Sequence, residues 1–161
     1  MSSRNGNTRG FTIIELMVTF VILAVLAAMA APLAKVAAQR TKEQELRTSL
    51  RQIRDAIDAY KQMSDEGRIV KNAGDSGYPE TLQVLVDGVE DIKDQKKDKI
   101  YFLRKILSDP MYVGKATQNE ETWGMRSYQS PADRPEPGRD VFDVHSLSSD
   151  VGLNEIPYNE W

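Results

Sequence analysis

The first third of the chain divides by polarity into an apolar stretch and an amphipathic stretch. The apolar stretch, Phe11 to Ala34, is 24 residues long and holds a single charged residue, Glu15. As a helix it would span about 36 Å, which is enough to cross a hydrocarbon core about 30 Å thick. The pattern therefore predicts a transmembrane helix over 11–34.

After Pro32 the apolar residues follow a helical period. They recur at steps of four or three, with charged and polar residues between them. They are Leu46, Leu50, Ile53, Ile57, Tyr60 and Met63. This pattern predicts an amphipathic helix over 35–64 with one buried stripe. The simplest interpretation is one helix from Phe11 to about Ser64 that stops near Gly67. Pro32 removes one backbone hydrogen bond, so we expect a kink or a loosened turn there.

The remaining residues predict short elements separated by turns. Pro79 to Asp87 and Ile100 to Leu107 have the spacing of short helices, and the charged run at 90–99 is typical of a solvated loop or a helix start. Met125 to Gln129 and Asp140 to Leu147 have the alternation of strands. Together these elements predict an α+β fold, in which a small antiparallel sheet packs against the amphipathic half of the long helix.

Composition excludes several classes of function. The formal net charge of −3 gives no electrostatic support for nucleic-acid binding, and with no cysteine there are no disulfides or thiolate sites. His145 is the one histidine, and the chain has no Gly-rich phosphate loop and no His-Glu-x-x-His segment. We therefore predict that the protein is not an enzyme.

Glu15 is the residue that the apolar stretch does not explain. A charge at mid-membrane costs about 2.5–3.5 kcal/mol on insertion scales and less near the interface. Two explanations stay open at this stage. Glu15 lies among the lipid headgroups, or it pairs with an α-amino group that is exposed when the chain is cut between Gly10 and Phe11.

The residues before the apolar stretch predict its orientation. "MSSRNGNTRG" is polar and contains Arg4 and Arg9, and positive flanks favour a cytoplasmic tail with translocation of the rest. The alternative is an ordinary secretory signal cut near Ala28 to Ala30. The apolar run is longer than the usual h-region of about 7–15 residues, which argues against this alternative.

The segment "RGFTIIELMVTFVILAVLAAMAAP" resembles the N-terminus of type IV pilin-like proteins. The matching residues are Gly10 before the cut, Phe11 after it, Glu15 and Pro32. The resemblance implies a leader, 1–10, that a prepilin peptidase removes, N-methylation of Phe11, and packing of helix 11–34 in a filament core. Residues 35–161 would then form a pilin-like globular domain.

Within that superfamily the chain resembles the major pseudopilin, or G subunit, of type II secretion systems. The similar segments are 77–86, 102–110, 122–128 and 141–150. The chain departs from the family pattern at the insert "MYVGKATQNEET" between Asp109-Pro110 and Trp123-Gly124, and at the tail "VGLNEIPYNEW". The resemblance implies a subunit of a periplasmic pseudopilus, anchored in the bacterial inner membrane with its globular domain in the periplasm. Its implied partners are further copies of itself, minor pseudopilins, the inner-membrane assembly platform and the prepilin peptidase.

The same resemblance implies a structural calcium ion at Asp143 and Asp150. Asn154 and Glu155 are further oxygen donors nearby. The spacing is not that of an EF-hand, so the residues alone do not predict a metal site. The nearest alternative function is a subunit of a type IV pilus, major or minor. A more distant alternative is a periplasmic protein with an ordinary signal peptide.

Overall fold

The computed structural model describes residues 10–161, and its longest element is the helix that the sequence predicts. Helix α1 is Ile13–Asp65 and continues through Pro32. It starts two residues later than expected and ends one residue later. Most of the predicted leader, with Arg4 and Arg9, lies outside the described residues.

The described chain falls into two compact units that meet at Gln39 and Arg40. The first ends at Gln39 and includes the apolar part of α1. The second, Arg40–Trp161, contains the rest of α1, helix α2 (Leu82–Asp87) and four short strands. Those strands are β1 (Val89–Glu90), β2 (Lys99–Ile100), β3 (Trp123–Arg126) and β4 (Asp143–Ser146), with 3-10 helices at Asn119–Thr122 and Tyr158–Glu160.

The apolar stripe of α1 forms one wall of the core of the second unit. Leu46, Ile53 and Ile57 have no exposed surface, and Leu50 is 3% exposed. They share a cluster with Leu82 and Leu85 of α2, with Trp123 and Val144 of the two C-terminal strands, and with Val141 just before β4. The predicted stripe is therefore confirmed.

Helix α2 and the hairpin that follows it correct two of the sequence predictions. Helix α2 starts at Leu82 rather than Pro79, because the fully buried Pro79 uses its carbonyl oxygen to accept a hydrogen bond from Val141 (2.8 Å). The predicted helix over 100–107 is wrong. Ile100 pairs with Val89 in the hairpin of β1 and β2. The amides of Phe102 and Leu103 both donate to the carbonyl oxygen of Leu85 (3.0 and 2.9 Å), which holds this segment against α2 in a non-helical conformation.

Strands β3 and β4 form the predicted antiparallel pair. Their register places Trp123 opposite Ser146, Gly124 opposite His145 and Met125 opposite Val144. Each strand has four residues. Strand β4 lies within the predicted 140–147, whereas β3 begins two residues before the predicted Met125 and ends three residues before Gln129. On β4, Val144 and Ser146 are buried while Asp143 and His145 are partly exposed. This is the alternation expected of a sheet with one buried face.

The pairing of Gly124 with His145 explains why glycine follows Trp123. A Cβ atom at position 124 would overlap the imidazole ring of His145. We expect Gly124→Ala to lower the free energy of unfolding by about 1–3 kcal/mol, because an extra carbon in a packed site forces its neighbour to move.

Urea denaturation of the detergent-solubilised full chain measures this cost. The same substitution in a His145→Ala background should cost clearly less, because the overlapping ring is gone. An equal cost in both backgrounds would show that the imidazole is not the obstacle.

Candidate functional site

The predicted cleavage site lies in non-helical backbone immediately before α1. Helix α1 begins at Ile13, and Thr12 caps it, since its hydroxyl oxygen accepts a hydrogen bond from the amide of Glu15 (3.3 Å). Gly10 is exposed and Phe11 is 80% exposed. The peptide bond between Gly10 and Phe11 is therefore open to a peptidase, and it is not held in a helical hydrogen-bond ladder.

The fold itself does not require glycine at position 10. A Cβ atom added there would meet no other atom within 4 Å, and Gly10 is not among the described glycines with positive φ. Elsewhere in the chain, as at Gly124, glycine is explained by a close contact.

Glu15 lies in the first turn of α1 and is exposed. A carboxylate in that position is stabilised by the unpaired amides of the helix N-terminus. In a chain cut after Gly10, the α-amino group of Phe11 would lie four residues from Glu15 along the sequence. The predicted cut site and the carboxylate therefore lie at the same end of α1.

The apolar part of α1 is uncovered in the single chain. Its large side chains are between 53% and 82% exposed, and they are Ile13, Ile14, Leu16, Met17, Val18, Phe20, Val21, Ile22, Leu23, Val25, Leu26 and Leu33. Phe11, just before the helix, is also exposed. Among the described helices, α1 is the one long and apolar enough to cross a membrane. Exposed apolar surface of this extent marks a membrane or protein contact.

These residues match a known family model. Residues 5–31 match the family described as the prokaryotic N-terminal methylation motif. The chain carries a type IV pilin-like prepilin signature. No curated protein and no solved structure matches the chain.

The prepilin signature places several predicted residues inside one matched segment. Gly10, Phe11 and Glu15 all lie within residues 5–31, and Pro32 follows directly after it. The signature and the apolar helix together indicate a prepilin-processed protein with an N-terminal membrane anchor. They do not distinguish a pseudopilin from a pilus subunit.

The two predicted calcium ligands have different surroundings. Asp143 accepts a hydrogen bond from Arg54 Nε (2.7 Å), and Arg126 Nη2 lies 3.8 Å from its other oxygen. Asp150 is exposed, and the loop that begins there is closed by main-chain bonds, such as that from Tyr158 N to Asp150 O (2.9 Å). In the part of the chain that is described, no group of three or more His, Asp or Glu side chains is placed to hold a metal. This donor set does not fit calcium, because two guanidinium groups already compensate the Asp143 carboxylate.

Calorimetry tests the calcium ion that the resemblance implies. Because Asp143 pairs with Arg54 and Arg126, we expect no binding heat from calcium at concentrations up to about 1 mM, the range in which weak extracellular calcium modules bind. The melting temperature of the full chain should also stay unchanged. Saturable heat that is lost in the Asp143→Asn variant would contradict this expectation.

Sequence reasoning missed the residues of α1 that hold the C-terminal segment. Glu43 is 8% exposed, and its Oε1 accepts hydrogen bonds from Leu153 N (2.8 Å) and the Tyr158 hydroxyl (2.9 Å). The Arg47 guanidinium lies 4.3 Å from the centre of the Trp161 ring. A signal was present, because Glu43 precedes Leu46 by three residues and therefore lies on the buried stripe.

Arg54 extends this contact to strand β4. Its Nη2 donates to the carbonyl oxygen of Val144 and to the main-chain oxygen of Trp161, both at 2.9 Å, while Nε donates to Asp143. Side chains of α1 therefore order both β4 and the tail that differs from the family pattern.

Proposed function

We propose that the protein is a pseudopilin, a structural subunit that polymerises into the periplasmic filament of a type II secretion system. Its function is assembly, and it catalyses no reaction. The filament would act as a piston or screw that moves folded proteins towards an outer-membrane channel.

The observation that carries this proposal is the exposed apolar part of α1, which follows directly after a prepilin cleavage motif. A single chain leaves this surface uncovered. Before assembly the bacterial inner membrane would cover it, with the basic leader on the cytoplasmic side. In the filament other copies would cover it, and the alanines at 24, 27, 28 and 30 would allow close helix approach.

Glu15 gives the assembly a fixed register in this proposal. After the prepilin peptidase cuts at Gly10 and N-methylates Phe11, the α-amino group of one copy would pair with Glu15 of another. Buried ionic groups of this kind specify register even where their net stabilisation is small. The other partners would be minor pseudopilins and the inner-membrane assembly platform.

Two features support a pseudopilin over a pilus subunit. The segments that resemble the major pseudopilin include elements of the core, since Pro79 is fully buried and Trp123 is 3% exposed. The chain also lacks the C-terminal cysteine pair of many pilins. The proposal is thus of a G-like subunit whose tail is ordered by α1.

A deletion strain tests this proposal. We expect loss of the protein to trap secreted proteins in the periplasm, which fractionation measures. Long surface pili should stay unchanged, which electron microscopy shows. The wild-type gene should restore secretion, and Glu15→Ala should not. Loss of long surface pili with secretion unaffected would instead assign the protein to a type IV pilus.

A further inference from the structure

The inserted segment 111–122, called here the 111–122 loop, is closed at its base. The amide of Asp109 donates to the hydroxyl oxygen of Thr122 (3.0 Å), and Trp123 Nε1 donates to the carbonyl oxygen of Leu107 (2.7 Å). Asp109 is 4% exposed and accepts a second bond from the Ser146 hydroxyl (2.6 Å). Asp109 and Trp123 are thereby held next to the core, and the insert projects from them.

The tip of the 111–122 loop presents an apolar side chain to solvent. Val113 is 93% exposed, more than Phe11 at 80%. The Tyr112 ring folds over Gly114, since a Cβ atom at 114 would lie 2.6 Å from the Tyr112 hydroxyl. A single exposed valine is ordinary on a protein surface, so it becomes informative only with a matching surface elsewhere.

A matching surface exists between α1 and the segment that follows β2. It is a groove of about 470 Å³ with an apolar lining formed by Ala56, Ala59, Phe102, Leu103 and Leu107. Its volume is within the range of about 300–1,000 Å³ usual for binding clefts. Exposed charges of both signs border it, namely Asp55, Arg104 and Lys105.

We propose that the tip of the 111–122 loop of one copy binds in this groove of a second copy. The high exposure of Val113 shows that the loop does not fill the groove of its own chain. Charges are complementary, because the loop carries one lysine and two glutamates while the rim of the groove carries one aspartate and two basic residues. They are Lys115, Glu120 and Glu121 on the loop, and Asp55, Arg104 and Lys105 on the groove. In the proposed contact Lys115 faces Asp55.

The two surfaces differ, so this contact is heterologous. Repeated contacts of that kind build an open helical array unless the rotation closes into a ring. The inference rests on the proposed function for the place where copies meet, namely the filament. The contact itself is a separate claim about two named surfaces of the folded chain.

Cysteine cross-linking of the full-length protein tests the contact, because the native chain has no cysteine. One copy carries Val113→Cys and a differently tagged copy carries Ala59→Cys, and the two are co-expressed in the native host and oxidised mildly in the membrane. The matched control replaces Ala59→Cys by Val70→Cys, since Val70 is 71% exposed and lies outside the groove.

We expect the Val113–Ala59 pair to form about tenfold more mixed disulfide than the control pair, the difference that about 1.4 kcal/mol of contact free energy gives. Lys115→Glu in the Val113→Cys copy should lower that yield, and adding Asp55→Lys to the Ala59→Cys copy should restore it. Equal yields for the test and control pairs overturn the inference. If equal yields accompany normal filaments and normal secretion, the contact fails and the proposed function stands. If a specific cross-link forms but the deletion strain has no secretion defect, the contact stands and the proposed function fails.

Discussion

Glu15→Ala is expected to abolish filament assembly while leaving membrane insertion and cleavage after Gly10 intact. Insertion should persist because alanine is less costly than a carboxylate in the apolar stretch. Assembly should fail because the α-amino group of Phe11 in the neighbouring copy would be buried without its partner. Breaking a buried pair in this way costs about 3–5 kcal/mol, or about two to four orders of magnitude in the association constant.

Electron microscopy of filaments from osmotically opened cells that express each variant measures this effect. Thr19→Ala is the matched control, since it removes an exposed polar side chain one turn along the same helix, where Thr19 Oγ1 donates to the carbonyl oxygen of Leu16. It should assemble normally. Normal filaments from Glu15→Ala would refute the pairing of the amine with the carboxylate.

The second large effect is expected in the core, where Ile57→Ala should lower the free energy of unfolding by about 2–5 kcal/mol. Ile57 has no exposed surface and lies in the cluster that joins α1 to α2 and the sheet. Because a domain of this size is stable by only about 5–15 kcal/mol, the variant should lose much of its folded population on mild heating.

Thermal melting of the detergent-solubilised full chain, followed by near-ultraviolet circular dichroism, measures this loss. Asp58→Ala is the control in the same helix, because Asp58 is exposed. It should change stability by no more than about 0.5 kcal/mol. Similar losses from both variants would mean that the stripe of α1 does not form the core.

Elements with a long and consistent period were predictable from the sequence. The amphipathic half of α1 repeats its apolar positions over several turns. The first four of those positions, Leu46, Leu50, Ile53 and Ile57, are buried, and the last two are partly buried. Strands β3 and β4 were predictable because Val144 and Ser146 alternate with less buried residues. The prepilin signature was predictable because Gly10, Phe11 and Glu15 combine in a short local pattern.

Elements fixed by distant contacts were not predictable. The segment 100–107 has helical spacing, but Ile100 pairs with Val89, and the amides of residues 102 and 103 donate to the carbonyl oxygen of Leu85. Asp143 looked like an open metal ligand because its partner Arg54 is 89 residues away in the chain. Glu43 looked like a surface residue, although the carboxylate is buried under the Tyr158 hydroxyl, 115 residues away.

The central claim is that the mature chain keeps the apolar helix and begins at a new amine beside Glu15. Mass spectrometry of the N-terminal peptide from membrane-purified protein tests this most directly. We expect a mature chain that begins with N-methylated Phe11, and we expect a bulky residue in place of Gly10, such as Gly10→Val, to leave the leader attached. A mature chain that begins near Ala31 would contradict this claim, because the helix on which assembly depends would have been removed.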